Sequence, residues 1–446
     1  MTKRNHTSMM NEISTQVNLY TLYDTVYDVK KPEMKGFAQV ALSHDVEKKP
    51  MTWVLVLDHS GSMGSGRRMT NVVNGLKALH SILDEEHDEM VVIPFNHEVK
   101  VEVGPTKLPM DLTELCEKHL VAWGGTNIEL ALEKALGHAE RCLEAERPVT
   151  VILMTDGEDP PLMRKLRDGC LSERMQRGTS GLGVYIVGIC VDADAMLLGR
   201  LAEAMNGTYT IVPHNDIAGL LGSNVGAVME YVEEKVVVEV WGETEEKERR
   251  LITSKAVRLN KDGTSVKIPF VWKHEEKTWT LSAMVKVLPI GTWEMPQETS
   301  SATELRVVAS TELGVPNVEC VVQELERLCL DSTTKLTDAL GKENFDDAQR
   351  LNEEALCKLA ELKLDFGTVI ADPVVGERME TTNVTLVGRG RDIEEARGNY
   401  NARRELSHRM CSEASTARNS GLSFGIGGGE SNTQQRMRTM STNFAE

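Results

Sequence analysis

Residues 52–62 read TWVLVLDHSGS. A near-continuous apolar run, 52–57, passes without a break into Asp58, and two serines follow at alternate positions, Ser60 and Ser62. An apolar run of this kind marks a strand covered on both faces, as in a parallel sheet. The sequence Asp58-x-Ser60-x-Ser62 therefore falls in the turn at the carboxyl end of such a strand, the edge at which open α/β sheets bind their ligands.

The same kind of run recurs at 90–95 (MVVIPF), 149–154 (VTVILM) and 183–191 (GVYIVGICV), with a last short strand at 208–212. Between the strands, apolar residues at helical spacing predict helices over 68–86, 127–144, 161–177, 193–205 and 217–232, and a short hairpin arm over 98–103. Strands alternating with helices predict a doubly wound, mostly parallel α/β sheet over residues 50–232. The pattern then changes. Short strands at 235–241, 251–258, 265–272, 278–287 and 304–310, broken by turn signals such as Asn260-Lys261-Asp262-Gly263, predict a small antiparallel β unit over 233–315. The strand at 37–42 precedes the first α/β strand with no helix between, so residues 36–49 are expected to join that unit. Two apolar stripes, Val318 to Leu336 and Phe345 to Leu362, with Gly341 and Asn344 as stop and start signals, predict a helical hairpin over 316–366. Residues 1–35 are polar and residues from about 388 to 446 are rich in Ser, Gly, Asn and Arg; 1–35 are expected to be flexible and 367–446 mostly so.

Composition narrows the function classes. The 446 residues carry 50 Lys and Arg against 68 Asp and Glu, a formal net charge of −18, which opposes phosphate-backbone binding and hence a nucleic-acid partner. With 41% hydrophobic residues the chain is neither disordered nor fibrous. No apolar run reaches the ~20 residues of a membrane helix, and the opening MTKRNHTSMMNEIS has no apolar stretch of a secretory signal. The eight cysteines make no C-x-x-C pair, which indicates neither a zinc module nor a disulfide framework and suits reduced thiols in the cytoplasm.

Two further segments reach the edge that carries Asp58. Gly124-Gly125-Thr126-Asn127 precedes a helix start, and Thr155-Asp156-Gly157 follows the strand at 149–154. Five hard oxygen donors then converge: the carboxylates of Asp58 and Asp156 and the hydroxyls of Ser60, Ser62 and Thr126. An all-oxygen set favours Mg²⁺ or Mn²⁺ over zinc. Two carboxylates at most neutralise the ion and three hydroxyls add no charge, so the ion keeps an electrophilic position. The natural complement is an Asp or Glu of a protein partner.

This constellation resembles the metal-ion-dependent adhesion site of von Willebrand factor type A (VWA) domains, D-x-S-x-S … T … D. All five positions are filled: Asp58, Ser60, Ser62, Thr126 and Asp156. DHSGSM, WGGTNI and LMTDGED are similar to the family's local sequences; His59 departs from its usual small or apolar residue, at a position whose side chain is not a ligand. The resemblance covers about residues 50–232 and implies a Rossmann-like fold and a metal-dependent interaction module. A VWA domain followed by a β unit and a helical hairpin is also similar to intracellular eukaryotic VWA proteins, including plant ones with a RING finger, and more distantly to inter-alpha-trypsin-inhibitor heavy chains. The RING is absent here, so ligase activity is not implied.

The expected function is thus a non-enzymatic adaptor with no catalytic residues. One rival is a Mg²⁺-dependent aspartyl-phosphate phosphohydrolase or phosphotransferase using Asp58, since DHSGS superficially resembles D-K-T-G-T. Position 60 lacks that fold's second acid, and TDGED lacks G-D-x-x-N-D. Another is a structural scaffold with a vestigial metal site. Glu158 and Asp159 read as a solvated pair at a helix start. Trp123 suits a partner contact or the core equally well. GIGGG at 425–429 follows no strand and opens no helix, and reads as linker.

Overall fold

A computed structural model of the chain describes residues 13–23, 26–28, 33–44, 50–66, 68–83, 86–107, 112–176, 182–190, 193–212, 231–260, 264–273, 278–288, 297–310 and 313–419. Three strands come first: β1 (Ile13–Thr21), β2 (Val26–Asp28) and β3 (Glu33–His44). The α/β region follows as β4 (Thr52–Asp58), a 3-10 turn (Gly61–Gly64), α1 (Arg68–Ile82), β5 (Glu89–Phe95), β6 (Val103–Lys107), α2 (Leu112–His119), α3 (Ile128–Glu144), β7 (Val149–Thr155), α4 (Pro160–Arg167), α5 (Glu173–Gln176), β8 (Leu182–Ile189), α6 (Ala195–Ala204) and β9 (Thr208–Val212). Then come β10 (Tyr231–Thr244), β11 (Arg249–Asn260), β12 (Thr264–Lys273), β13 (Trp279–Leu288) and β14 (Gln297–Ser310). The chain closes with α7 (Val318–Gly341), α8 (Phe345–Asp365), α9 (Pro373–Gly398) and α10 (Tyr400–Asn419).

The α/β region is the expected doubly wound sheet. Its strand order is β6-β5-β4-β7-β8-β9, parallel throughout except for the edge strand β6. Every residue of β4 is buried because its side chains feed two cores. Val54 and Val56 pack with Ile128, Leu132 and Leu136 of α3 on one face. Trp53, Leu55 and Leu57 pack with Val72, Leu76 and Leu79 of α1 on the other. Burial of each such side chain contributes about 1.5–3 kcal/mol, and it is this two-sided cover that makes the strand read as an unbroken apolar run. The hairpin arm lies slightly later than expected, at β6, and the helix predicted over 161–177 is divided into α4 and α5. The helix predicted over 217–232 falls mostly outside the described residues; Tyr231 and Val232 already belong to β10.

The β unit is a sandwich of two sheets, β1-β3-β12 and β11-β10-β13-β14-β2, sharing one core. β3 pairs antiparallel with β12, so the α/β region is inserted between strands of the sandwich. Residues 1–35, expected to be flexible, instead contribute β1 and β2. Val17 and Leu19 of β1 enter the sandwich core while Gln16 and Asn18 face away from it, the half-buried alternation of an antiparallel strand.

The expectation for 367–446 is also corrected. Alongside α7 and α8 the structure has two further helices, α9 and α10, and residues 420–446 lie outside the described residues. In α9 the buried residues are Val375, Met379, Thr382, Leu386, Arg389, Ile393 and Ala396, spaced alternately by four and three. That is the seam of a packed helix, disguised in sequence by Gly376, Gly388 and Gly390 and by a threonine and an arginine within the stripe. Arg389 is buried and donates to Thr333 Oγ1 and Glu413 Oε2, each at 2.8 Å. Among the described residues no helix is long and apolar enough to cross a membrane.

The helical unit carries its own pH signature. Burial pushes the Glu326 carboxyl of α7 up to about 7, against the pull of Arg378 at 3.1 Å; Glu319, Lys267 and Gln323 also face it. A carboxyl raised in the folded state contributes stability below its unfolded value of 4.5 and loses it as pH rises through about 7. Between pH 5 and 8 the parent is therefore expected to lose up to about 3 kcal/mol relative to Glu326→Gln. Urea unfolding of both proteins at the two pH values measures this, and parallel pH profiles would contradict it.

Candidate metal centre

The strand order reverses direction at β4, which sits between β5 and β7. Loops leaving these strands diverge there and open a crevice. Asp58, Phe95 and Thr155 end the three strands, so residues remote in sequence become neighbours.

Main-chain hydrogen bonds knit the loops together. His59 N donates to Phe95 O (2.8 Å), Gly61 N to Gly124 O (3.0 Å), Trp123 N to His59 O (2.9 Å) and Asn127 N to Asn96 O (2.7 Å). Asn96 Nδ2 adds a bond to Trp123 O at 3.1 Å. Gly124 has φ +79°, and a Cβ there would stand 2.6 Å from His97 Nδ1, so only glycine fits this crossing.

Within this frame the five predicted donors come together as follows. Asp58 and Ser60 are fully buried, Asp156 nearly so, Thr126 half-buried and Ser62 exposed. Asp58 Oδ1 accepts from Ser60 N (2.7 Å), and Oδ2 accepts from Thr155 Oγ1 (2.5 Å). The Ser60 and Ser62 hydroxyls are 3.1 Å apart, and Ser62 Oγ donates to Asp156 Oδ1 at 2.9 Å. Thr126 approaches from the third segment: one point beside Gly157 is 2.8 Å from Thr126 Oγ1 and 3.2 Å from Asp58 Oδ2. Burial pushes the Asp58 carboxyl up to about 6; the Thr155 and Ser60 hydrogen bonds only partly oppose it, and Asp156 adds repulsion.

Several contributors carry no sequence signal. Thr155 occupies Asp58 Oδ2, and Arg68 places its guanidinium on Asp156 Oδ2. Asp159 is not the solvated residue expected but a buried one. Its Oδ1 accepts from Leu162 N (3.0 Å) as the cap of α4, and its Oδ2 accepts from Ile128 N (2.9 Å) at the start of α3. Since a single cap is worth about 0.5–2 kcal/mol, Asp159→Ala is expected to cost about 2–3 kcal/mol in chemical unfolding. A loss below half a kcal/mol would show that the double cap contributes little.

The donor set suits a hard divalent cation. All the oxygens are carboxylate or hydroxyl, two carboxylates share one edge, and an arginine stands in as a cation against one of them. Among the described residues no group of three or more His, Cys, Asp or Glu is arranged to hold a metal; a metal held here would depend on hydroxyl ligands, as Mg²⁺ and Mn²⁺ allow and zinc disfavours.

Beside the site runs a groove of about 330 Å³, lined by His59, Asn96, Glu98, Lys100, Lys118, His119, Val121 and Trp123 among others. Trp123 is 44% exposed and Val121 58%, so Trp123 is a surface residue and not part of the core. Lys100 Nζ lies 4.8 Å from the Trp123 ring centroid, and the His97 ring meets Trp123 edge-on at 5.2 Å. His59 holds the rim through Nδ1 to Val121 O at 2.9 Å, and burial lowers its pKa.

Comparison with known proteins matches part of the chain to a family. The family model of the von Willebrand factor type A domain matches residues 53–158, the stretch holding all five donors. Among solved structures the fold is similar to a von Willebrand factor type A protein from Catenulispora acidiphila, at 14% identity and TM-score 0.56 over 80% of this chain and 87% of that one. It is similar to the ArnB paralog VWA2 from Sulfolobus acidocaldarius, at 14% identity and TM-score 0.54 over 92% of this chain and 99% of that one. No curated protein matches the chain by sequence. The likeness in fold extends well beyond residues 53–158, the stretch that presents Asp58 and matches the von Willebrand factor type A domain.

Proposed function

We propose that the chain is a protein–protein interaction module whose VWA domain takes up Mg²⁺ or Mn²⁺ on Asp58, Ser60, Ser62, Thr126 and Asp156 and engages an acidic residue of a protein partner through that site. A VWA domain itself points to an interaction or adhesion role. The observation that carries the finer reading is the meeting of oxygen donors from three separate segments at the switch point of the sheet. A bound divalent cation would supply a Lewis-acidic position for the partner's carboxylate. The chain's own residues do the rest. Asp58 and Asp156 provide the negative charge, Thr155 and Ser60 N–H orient the Asp58 carboxyl, and Ser62 orients Asp156. The adjoining groove, with Lys100 and Lys118 at its rim and Trp123 on its wall, suits residues flanking the partner's acid.

The reading is non-enzymatic. An aspartyl-phosphate mechanism of the kind that DHSGS superficially resembles uses a second acid beside its nucleophile, whereas position 60 holds a serine. All eight cysteines are free, which supports a reducing, cytoplasmic setting.

The test is affinity capture from lysate with the parent in Mg²⁺, the parent in EDTA, and Asp58→Ala in Mg²⁺, run beside acetyl phosphate turnover. Proteins retained by the parent in Mg²⁺ are expected to be lost under both other conditions, without turnover. Retention indifferent to EDTA and to the substitution would leave a structural scaffold. Turnover abolished by Asp58→Asn would favour the phosphohydrolase.

A further inference from the structure

Arg68 is the first residue of α1, and its side chain reaches back across the donor site. Nη1 lies 2.5 Å from Asp156 Oδ2 and 3.3 Å from the main-chain oxygen of Ser62. The guanidinium thus bridges two of the three segments that supply the donors. The Asp156 side chain is fully buried, while that of Arg68 is 21% exposed. Ser62 Oγ already occupies the other carboxylate oxygen, Oδ1.

A carboxylate sealed from water requires a compensating charge or strong hydrogen bonds. Arg68 supplies both to Asp156. A divalent cation drawing on the same carboxylate would meet a positive charge already seated there, and two cations a few ångströms apart repel strongly in so buried a place. The two are therefore rivals for one site. The partial exposure of Arg68 gives its long side chain a path into solvent, whereas Asp156 has none.

We propose that Arg68 is a built-in counter-cation that holds Asp156 ready and must leave the carboxylate before a divalent ion is taken up, so that metal loading is set by competition with Arg68. This rests on the metal-dependent reading of the site above. It adds a residue outside the donor pattern, on a different element, that sets the affinity of that site.

The experiment is Mn²⁺ titration of the full chain followed by the electron paramagnetic resonance signal of free Mn²⁺, with thermal melting in EDTA and in Mn²⁺ as a second readout. The proteins are the parent, Arg68→Gln, Arg68→Lys and Asp156→Ala. Arg68→Gln is expected to bind Mn²⁺ about tenfold more tightly than the parent, the size of one lost charge-assisted pair. Its melting temperature should fall in EDTA and rise more steeply on adding Mn²⁺. Arg68→Lys, which keeps the charge on a shorter side chain, should lie between the two and guards against a folding defect in the glutamine variant. Equal or weaker Mn²⁺ binding by Arg68→Gln, with binding by the parent abolished in Asp156→Ala, would overturn the role of Arg68 and leave the metal site standing. Absence of Mn²⁺ binding in both the parent and Arg68→Gln would overturn the metal site and the proposal together.

Discussion

Asp58→Asn is expected to weaken Mn²⁺ binding by more than about 100-fold while leaving the metal-free protein at least as resistant to heat as the parent. Loss of an orienting contact to a ligand typically costs 10–100-fold in affinity, and here one of the two proposed carboxylate ligands is removed. Stability should move the other way. Asp58 is fully buried, and burial is the main reason its carboxyl stands at about 6 instead of 3.8. At pH 8 the metal-free fold must hold that charge away from water, a cost the amide does not incur. The amide oxygen can still accept from Ser60 N, and the amide nitrogen can donate to Thr155 Oγ1, which now donates to the carboxylate. Calorimetric titration with Mn²⁺ and melting at pH 8 in EDTA measure both effects. A variant that binds Mn²⁺ like the parent, or melts several degrees below it in EDTA, would show that Asp58 serves the fold and not an ion.

Gly157→Ala tests the geometry from the opposite side of the site. A Cβ at position 157 would lie 2.8 Å from both Cγ2 and Oγ1 of Thr126 and 3.2 Å from Asp58 Oδ2. Contacts this short force a displacement, and the crowded neighbour is itself a donor. Gly157 N also donates to Thr155 Oγ1 (3.0 Å), the group that orients Asp58, so any backbone retreat loosens a second part of the site. Overpacking of this kind costs about 1–3 kcal/mol. With Thr126 pushed aside, Mn²⁺ affinity is expected to fall about 10–100-fold. Gly157→Ala combined with Thr126→Ser, which lacks the crowding methyl group but keeps the hydroxyl, should recover part of both losses. Parent-like affinity in Gly157→Ala would mean that Thr126 is not a ligand.

The α/β architecture was legible in the sequence for a simple reason. A strand covered on both faces cannot hide its composition, and TWVLVL, MVVIPF and VTVILM are the cores of β4, β5 and β7. Once those strands are recognised as parallel, residues at their carboxyl ends must share an edge, and Asp58, Thr126 and Asp156 become neighbours without any contact being visible in the chain. Thr155 and Arg68 were not legible in this way. Which way the last side chain of a strand points, or where an arginine at a helix start extends, depends on the neighbour brought up by the fold. Asp159 was misjudged for a related reason: a cap shared by two helices looks in sequence like one more charge at a helix start.

The ends of the chain show the other limit. β1 alternates in sequence, but its partner β3 and the sandwich core it covers lie elsewhere in the chain. In α9, three interior glycines and two buried polar residues weaken any local preference for helix. The helix persists because the seam from Val375 to Ala396 is buried against neighbouring helices, with Arg389 neutralised by Glu413 of α10. By itself, then, the sequence determined the parallel sheet and the edge on which the oxygen donors sit, since hydrophobic periodicity and strand direction are local properties. Tertiary structure alone decided that residues 13–28 contribute strands, that 373–419 form helices and that an arginine pairs with Asp156, because those outcomes depend on long-range packing and on charges meeting across the fold.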